Sequence, residues 1–460
     1  MARKANRRNS RQRGLRVLHE NVAGVDLGST EHWVCCPSTT QNDPNVRVFG
    51  TTTVQLERLC RWLKEQNVVS VAMESTGVYW IPLFEMLERK GIKALLVDSR
   101  HLSRVPGRKT DMQDCQWIQL LHSCGLLASA FRPAESICQL RAYIRARGSL
   151  VREGADWLRR MQKELDQMNV RVHRAVSDIS GTTGMSIIRA IVHGQRDPVQ
   201  LAKLRHPNCH LSEREIAQEL TGTWHEEHLF NLKEALHMYD FIQERLDAYD
   251  RRIQEHAESM QRSDIDPYDL QPPKSKDKAR KIKADGQEPL RKALYAMCGV
   301  DLTAIDGISV DTARTILGEI GPDVSAFANE KQFKSYATLA PNMHISGGKS
   351  QRRRSRGQSH RLGQALKMAA VTLRNSKSAL GAYYRRIAMR KGACIAVFST
   401  AGKLSQIVYR MLRYGEHYVD IGQQAYEEQF RQRKIRALTR AAKELGYKVL
   451  AVPKAELNTT

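Results

Sequence analysis

Val22-Ala-Gly-Val-Asp26-Leu-Gly28-Ser-Thr-Glu31-His-Trp-Val-Cys-Cys36 reads as two short strands with turn residues between them. Val22–Leu27 is the first, with Asp26 near its end, and Glu31–Cys36 is the second. Val46–Gly50 predicts a third strand. Over Val54–Gln66 the apolar period changes, and Leu56, Leu59, Cys60 and Leu63 fall on one helix face. Val68–Met73 is an apolar run of strand length, and Val78–Lys90 is a helix stopped by Gly91. Ile92–Val97 is another strand, and Asp111–Ser123 another helix. A three-strand meander followed by alternating helices and strands predicts a mixed α/β sheet.

Downstream the pattern is helical. Ser136 to about Arg171 places Leu140, Ile144, Val151, Leu158, Met161, Leu165 and Met168 on a heptad seam, interrupted by Arg147 and Gly154. Leu232, Leu236, Tyr239, Ile242, Leu246, Tyr249 and Ile253 repeat at similar spacing. Two such helices predict an antiparallel hairpin, either within one protomer or extended into an intermolecular bundle. Ile305-Asp-Gly307-Ile-Ser309 fits a helix-hairpin-helix turn approaching a phosphate, or equally an ordinary core turn. Helical patterns return at Lys331–Leu339, Leu362–Asn375, Ala379–Met389, Lys403–Tyr414 and Gln424–Leu445.

The charge balance narrows the partners. Across 460 residues, 73 Lys+Arg against 49 Asp+Glu leave +24 with His neutral, which points to a polyanion, nucleic acid first. Three runs concentrate the excess. Residues 1–16 carry seven basic side chains and no acid, and read as a phosphate-binding arm. Pro272–Lys283, PPKSKDKARKIK, reads as a linker or exposed loop, and Gln351–Arg361, QRRRSRGQSHR, holds five arginines. No run approaches a membrane span, and the basic start lacks the apolar core of a secretory signal. Nine scattered cysteines without a C-x-x-C fit neither a disulfide framework nor a zinc ribbon, so buried thiols in a cytoplasmic, nucleoid-associated protein are expected.

Four acids stand at element ends: Asp26, Glu74 after the strand Val68–Met73, and Asp111 and Asp114 at the start of a helix. The i,i+3 spacing puts the last two on one helix face. Taken singly, Asp26 fits a turn before Gly28 and Asp111 a helix N-cap. Taken together, adjacent first and fourth strands would converge four carboxylates. Such a set calls for a hard divalent cation, Mg²⁺ or Mn²⁺, as in two-metal phosphodiester chemistry.

These residues resemble the DEDD transposases of insertion-sequence family one-hundred-ten, the bridge-RNA-guided recombinases. Val22–Pro133 is similar to the family's RuvC-like domain of RNase H fold, with Asp26, Glu74, Asp111 and Asp114 on its signature. Thr303–Tyr414 is similar to its transposase domain, and Ser346-Gly347-Gly348-Lys349, after Tyr336-Ala-Thr-Leu-Ala-Pro341, matches the motif of the nucleophilic serine. Where the family has a Gly-Asn pair after this loop, Gly357-Gln-Ser-His360 stands here. The resemblance implies a covalent phosphoserine link to DNA, a DEDD metal site at the same phosphate, and a bridge RNA pairing with donor and target duplexes. Lys109, Gly347, Gly348, Lys349, Arg352, Arg353, Arg354 and Arg356 are the expected nucleic-acid contacts. The glycines also let a phosphate approach, and the cations offset its charge.

The expected organisation is a basic arm (1–18), a RuvC-like domain (19–135), a helical coiled-coil domain (136–262), a basic linker or insertion (263–290), a transposase domain (291–422) and a C-terminal helix and tail (423–460). A dimer joined through the heptad helices, pairing to a tetramer on DNA, is the expected assembly. Three other classes remain open on residues alone. One is a metal-dependent junction resolvase using water as nucleophile. Another is an actin-like ATPase, because Asp26-Leu-Gly-Ser-Thr resembles a phosphate loop. The third is a non-catalytic nucleic-acid-binding protein.

Overall fold

A computed structural model describes residues 16–38, 45–75, 77–97, 111–340, 343–346, 349–352 and 360–450. The side chains of Asp111, 343–346 and 349–352 fall outside that description. So does the basic arm before Arg16. The chain divides into two compact units, Met1–Arg132 and Pro133–Thr460.

The first unit is built on five strands: β1 (Val22–Leu27), β2 (Glu31–Cys35), β3 (Val46–Gly50), β4 (Ser70–Glu74) and β5 (Lys93–Val97). Their order is β3-β2-β1-β4-β5. The meander pairs β1, β2 and β3 antiparallel, while β4 runs parallel to both β1 and β5. Helical connections account for that change, since a parallel pair needs a crossover. They are α1 (Thr53–Glu65), between β3 and β4, and α2 (Trp80–Arg89), between β4 and β5. This mixed sheet is the predicted one, and it is compatible with an RNase H-like fold.

One sheet face buries Val25, Val34, Val71 and Met73 against Leu59 and Leu63 of α1 and Leu83 and Leu87 of α2. The other face receives α3 (Asp111–Ser123), whose Ile118 and Leu121 pack with Ala72 and Val97. Burial on both faces explains why the central strands read as nearly continuous apolar runs. Gly24 permits the approach of α3. A Cβ there would lie 2.3 Å from the backbone nitrogen of Gln119 and 2.5 Å from the carbonyl oxygen of Cys115.

The second unit opens with α4 (Glu135–Gln167) and, after four shorter helices α5 to α8 (Val172–Ala175, Thr182–Val192, Pro198–Ala202 and Glu213–Leu220), the long α9 (Glu226–Ser259). The long pair is antiparallel. Glu164 meets His228 at 2.8 Å, Arg147 grips Asp250 at 2.6 and 2.7 Å, and the Ser136 carbonyl meets His256 at 2.8 Å. Both breaks in the heptad seam thereby acquire a reason. Arg147 reaches its carboxylate partner across the hairpin, and Gly154 is buried where a Cβ would touch Ile242 at 3.4 Å. At the far end Met161, Leu165, Leu232 and Leu236 share a core with Ile187, Ile188 and Ile216 of the short helices.

Beyond the hairpin come α10 (Lys276–Ala284), α11 (Glu288–Cys298), α12 (Val310–Ile320) and α13 (Glu330–Tyr336). A small antiparallel pair follows, β6 (Met343–Ser346) and β7 (Lys349–Arg352). Last are α14 (Arg361–Thr372), α15 (Ala379–Lys391), α16 (Ala393–Tyr414) and α17 (Gly422–Glu444). Here the structure corrects the reading of one basic run. The run PPKSKDKARKIK is expected as a linker or loop, yet Lys276–Ala284 is helix. Ser275 caps it by accepting from the Lys278 N–H, and Asp277 and Lys281 complement the helix dipole at its two ends. Lys278 turns inward, its ammonium donating to the carbonyls of Thr303 and, at 2.9 Å, Ile308. With Ile282 the one buried apolar residue, no periodic signal was available.

The turn at Ile305–Ser309 is packed. Ile305 and Ile308 are buried, and Gly307, at φ +83°, faces α14 so closely that a Cβ would lie 2.7 Å from the Ala369 carbonyl. Among the described residues no helix is long and apolar enough to cross a membrane.

Replacing Gly24 with Ala should push α3 off β1. Overpacking of this kind costs about 1–3 kcal/mol, so the urea midpoint should fall with the m-value unchanged. An unshifted midpoint would show that the close contact does not constrain the unit.

Candidate active site

The register decides where the acids go. Val25 of β1 lies beside Met73 of β4, so the next residues along these parallel strands are Asp26 and Glu74. Alternation puts both on the face of Gly24 and Ala72, the face that α3 covers. Asp114 and Cys115 lie in the first turn and a half of α3, and Asp26 is close enough to influence Cys115 electrostatically. A hydrogen bond from the thiol to Cys35, then burial, then the charge of Asp26 push the Cys115 pKa far up. Asp26, Glu74 and Asp114 are each half-buried. Asp111 begins the helix, but its side chain is outside the described residues.

The donors so arranged are carboxylate oxygens, the ligand type that suits a hard divalent cation. Among the described residues no three His, Cys, Asp or Glu side chains are already gathered into a metal-holding group. The buried thiols Cys35 and Cys115 beneath the carboxylates carried no sequence signal, because their neighbours are set by strand pairing.

Ser346 is placed differently from the Gly-rich loop that the sequence suggests. It is the last residue of β6 and pairs with Lys349, the first of β7, so it stands beside the tip of a tight hairpin. Gly347 and Gly348, between them, lie outside the described residues, as do Lys109, Arg353, Arg354 and Arg356. Lys349 and Arg352 are described as backbone alone.

The described residues that flank this hairpin in the chain pack among the helices. The rings of Tyr336 and His360 meet at a tilt of 53°, with centroids 4.4 Å apart. The His360 N–H donates to Thr338 Oγ1 at 3.3 Å, and His360 Nδ1 accepts from Leu362 N–H at 3.2 Å, capping α14. Thr338 has φ +57°, an outlying conformation for a β-branched residue. Such strain persists only where the surroundings over-determine it. Behind this junction Glu319 of α12 is buried and held by Arg145 of α4 at 2.9 and 2.7 Å. Arg141 donates to the Gly318 carbonyl at 3.3 Å and to that of Glu319. Burial pushes the Glu319 carboxyl up, but the hydrogen bond and charge of Arg145 outweigh it and hold it below the usual range. Burial raises Tyr336 to about 12 and keeps His360 below its ordinary value. None of this junction was foreseen, since its members are spread from 141 to 360.

Residues 23–170 match the family model of the IS110 DEDD transposases, and residues 300–385 match that of the transposase IS116/IS110/IS902 family. The chain belongs to the IS110 family of transposases. The first match contains all four acids with Arg141 and Arg145, and the second contains Ser346 with Glu319, Tyr336, Thr338 and His360. No curated protein matches the chain. As an IS110-family transposase the protein is an enzyme that acts on DNA and recombines it, and its DEDD domain implies divalent-metal dependence.

Glu319→Gln should lower stability by about 1–3 kcal/mol at pH 7, because two arginines then face a neutral amide. The folded pKa of Glu319 lies below its ordinary value of 4.5. Its contribution is therefore complete above that pH and is lost as the pH falls through the folded value. Urea midpoints of wild type and variant should converge on acidification below pH 4.5. Convergence on raising the pH instead would reverse the assigned sign.

Proposed function

We propose that this transposase is an RNA-guided recombinase that cuts and rejoins DNA through a covalent link to Ser346. Asp26, Glu74, Asp111 and Asp114 serve as its metal ligands. The observation that carries the proposal is the β1–β4 register, which brings Asp26 and Glu74 to one sheet end under the helix of Asp111 and Asp114. These four carboxylates would hold Mg²⁺ or Mn²⁺, whose chemistry is to offset charge on a phosphodiester in transit.

The serine step balances without an energy source. Ser346 Oγ forms a bond to phosphorus as the bond from phosphorus to the leaving deoxyribose oxygen breaks. The serine proton passes to a general base, and the leaving oxygen takes up a proton. Attack by a hydroxyl of the second strand reverses each change and frees Ser346. Every P–O bond broken is matched by one formed, so no ATP is consumed. Gly347 and Gly348 leave space for the phosphate. Lys349, Arg352, Arg353, Arg354 and Arg356 supply cations around it, and Lys109 is a separate nucleic-acid contact.

Guidance by a bridge RNA, pairing with donor and target duplexes, is supported by the family and by several separated basic runs in one chain. A dimer across the α4–α9 helices as an intermolecular coiled coil, joining to a tetramer on DNA, is the assembly proposed with it. The RNase H-like domain is assigned to 19–135 and the transposase domain to 291–422.

Ser346→Ala and Asp26→Ala separate this mechanism from a resolvase that uses water. In a reconstituted reaction with guide RNA and both duplexes, wild type should trap DNA covalently and both variants should lose exchange by at least about 10³-fold. Strand exchange by Ser346→Ala at the wild-type rate would exclude the phosphoserine step. Cleavage without a trapped adduct in wild type would favour the resolvase.

A further inference from the structure

Among the described residues, those that hold α17 lie near its start. Arg385 donates to Gln423 Oε1 at 2.8 Å, and the Arg386 guanidinium lies 4.0 Å from the Phe430 ring centroid and 5.2 Å from that of Tyr426. Among the described residues nothing packs on the helix beyond Phe430: residues 431–441 are all exposed, and no residue of the helix is buried. This stretch carries Arg431, Arg433, Lys434, Arg436, Arg440 and Lys443 before its first acid, Glu444. Among the described residues none of these six is in an ion pair.

At about 100° per residue, Arg433, Arg436, Arg440 and Lys443, spaced 3-4-3, form one stripe along the helix. The stripe is about 15 Å long at 1.5 Å per residue, roughly four nucleotide steps of 3.4 Å. Ile435 and Leu438 lie on the other side, 41% and 53% exposed. A helical segment of this length without tertiary contacts is marginal in water, and like charges three and four apart weaken it further. A polyanion along the stripe removes both penalties. Duplex DNA is the polyanion on which an IS110-family transposase acts.

We propose that the second half of α17 is a DNA-backbone contact, with Arg433, Arg436, Arg440 and Lys443 lying along the phosphates of one duplex and the helix ordering as it binds. It reads no sequence and is separate from the basic runs at 272–283 and 351–361. It does not depend on Ser346 being the nucleophile or on RNA guidance.

The test is the salt dependence of duplex binding by the full chain, followed by fluorescence anisotropy from about 50 to 200 mM salt. Each phosphate contact contributes about 0.9 to the slope of log K against log salt. The variant Arg433→Gln/Arg436→Gln/Arg440→Gln/Lys443→Gln should therefore flatten the slope by roughly 3–4. A charge-matched control, Lys64→Gln/Lys90→Gln/Lys203→Gln/Arg214→Gln, changes exposed residues of other segments and should leave the slope within about 1 of wild type. Circular dichroism should show helix gained by wild type on adding duplex, and less gained by the stripe variant. Equal flattening in both variants would reduce the effect to net charge and overturn the contact. So would an unchanged slope in the stripe variant. Loss of binding to structured RNA or to anionic vesicles, with duplex binding intact, would assign the stripe to another partner and overturn it as well.

Discussion

At Gly24 the backbone of α3 lies against β1 closely enough that a single methyl group would meet Gln119 at 2.3 Å. That contact sets the depth at which α3 sits on the sheet, and therefore how near Asp114 comes to Asp26. Protein interiors pack densely and shift only at a cost, so a helix seated on a glycine is a precise spacer. Beside it, Ala72 of β4 is buried with Ile118 and Leu121, keeping the neighbouring strand equally close. The carboxylates then stand at the rim of a packed interface rather than on a free loop, which suits a site where position matters more than adaptability.

The second unit uses charge where the first uses small residues. Glu319, Asp250 and Asp301 are each gripped by arginine: Arg145 and Arg141, Arg147 and Arg314, and Arg291. Planar, bidentate guanidinium groups tolerate such burial better than lysine does. In a chain of formal charge +24 these pairs hold part of the basic excess inside the fold. What remains outside is concentrated in runs such as the stripe on α17. The same residue type thus serves two ends, and only burial distinguishes them: Arg314 is enclosed, while Arg436 is open to solvent.

The sheet was legible because each strand carried its own local signal. Val22–Leu27, Val46–Gly50 and Asp111–Ser123 emerge as predicted, and the other boundaries of the first unit move by one or two residues. One shift matters, since β4 ends at Glu74 rather than Met73 and so carries that acid within the strand. The long helices were legible from their heptads, but their two interruptions were not. Arg147 needed its distant partner Asp250, and Gly154 needed Ile242. The helix at Lys276–Ala284 was missed because its stability comes from caps and from Lys278 bonding to carbonyls about thirty residues away.

By itself the sequence determined the element order, the strongly basic character, and the positions of the acids and the serine of the proposed site. These are local properties, written in period, composition and motif. Tertiary structure decided which of them meet. Register made Asp26 and Glu74 neighbours, and a glycine admitted the helix of Asp114 beside them. Packing also brought Tyr336, Thr338 and His360 together next to the buried Glu319 and its arginine. Contacts between residues far apart in the chain depend on how whole elements pack, and no window of sequence contains that information.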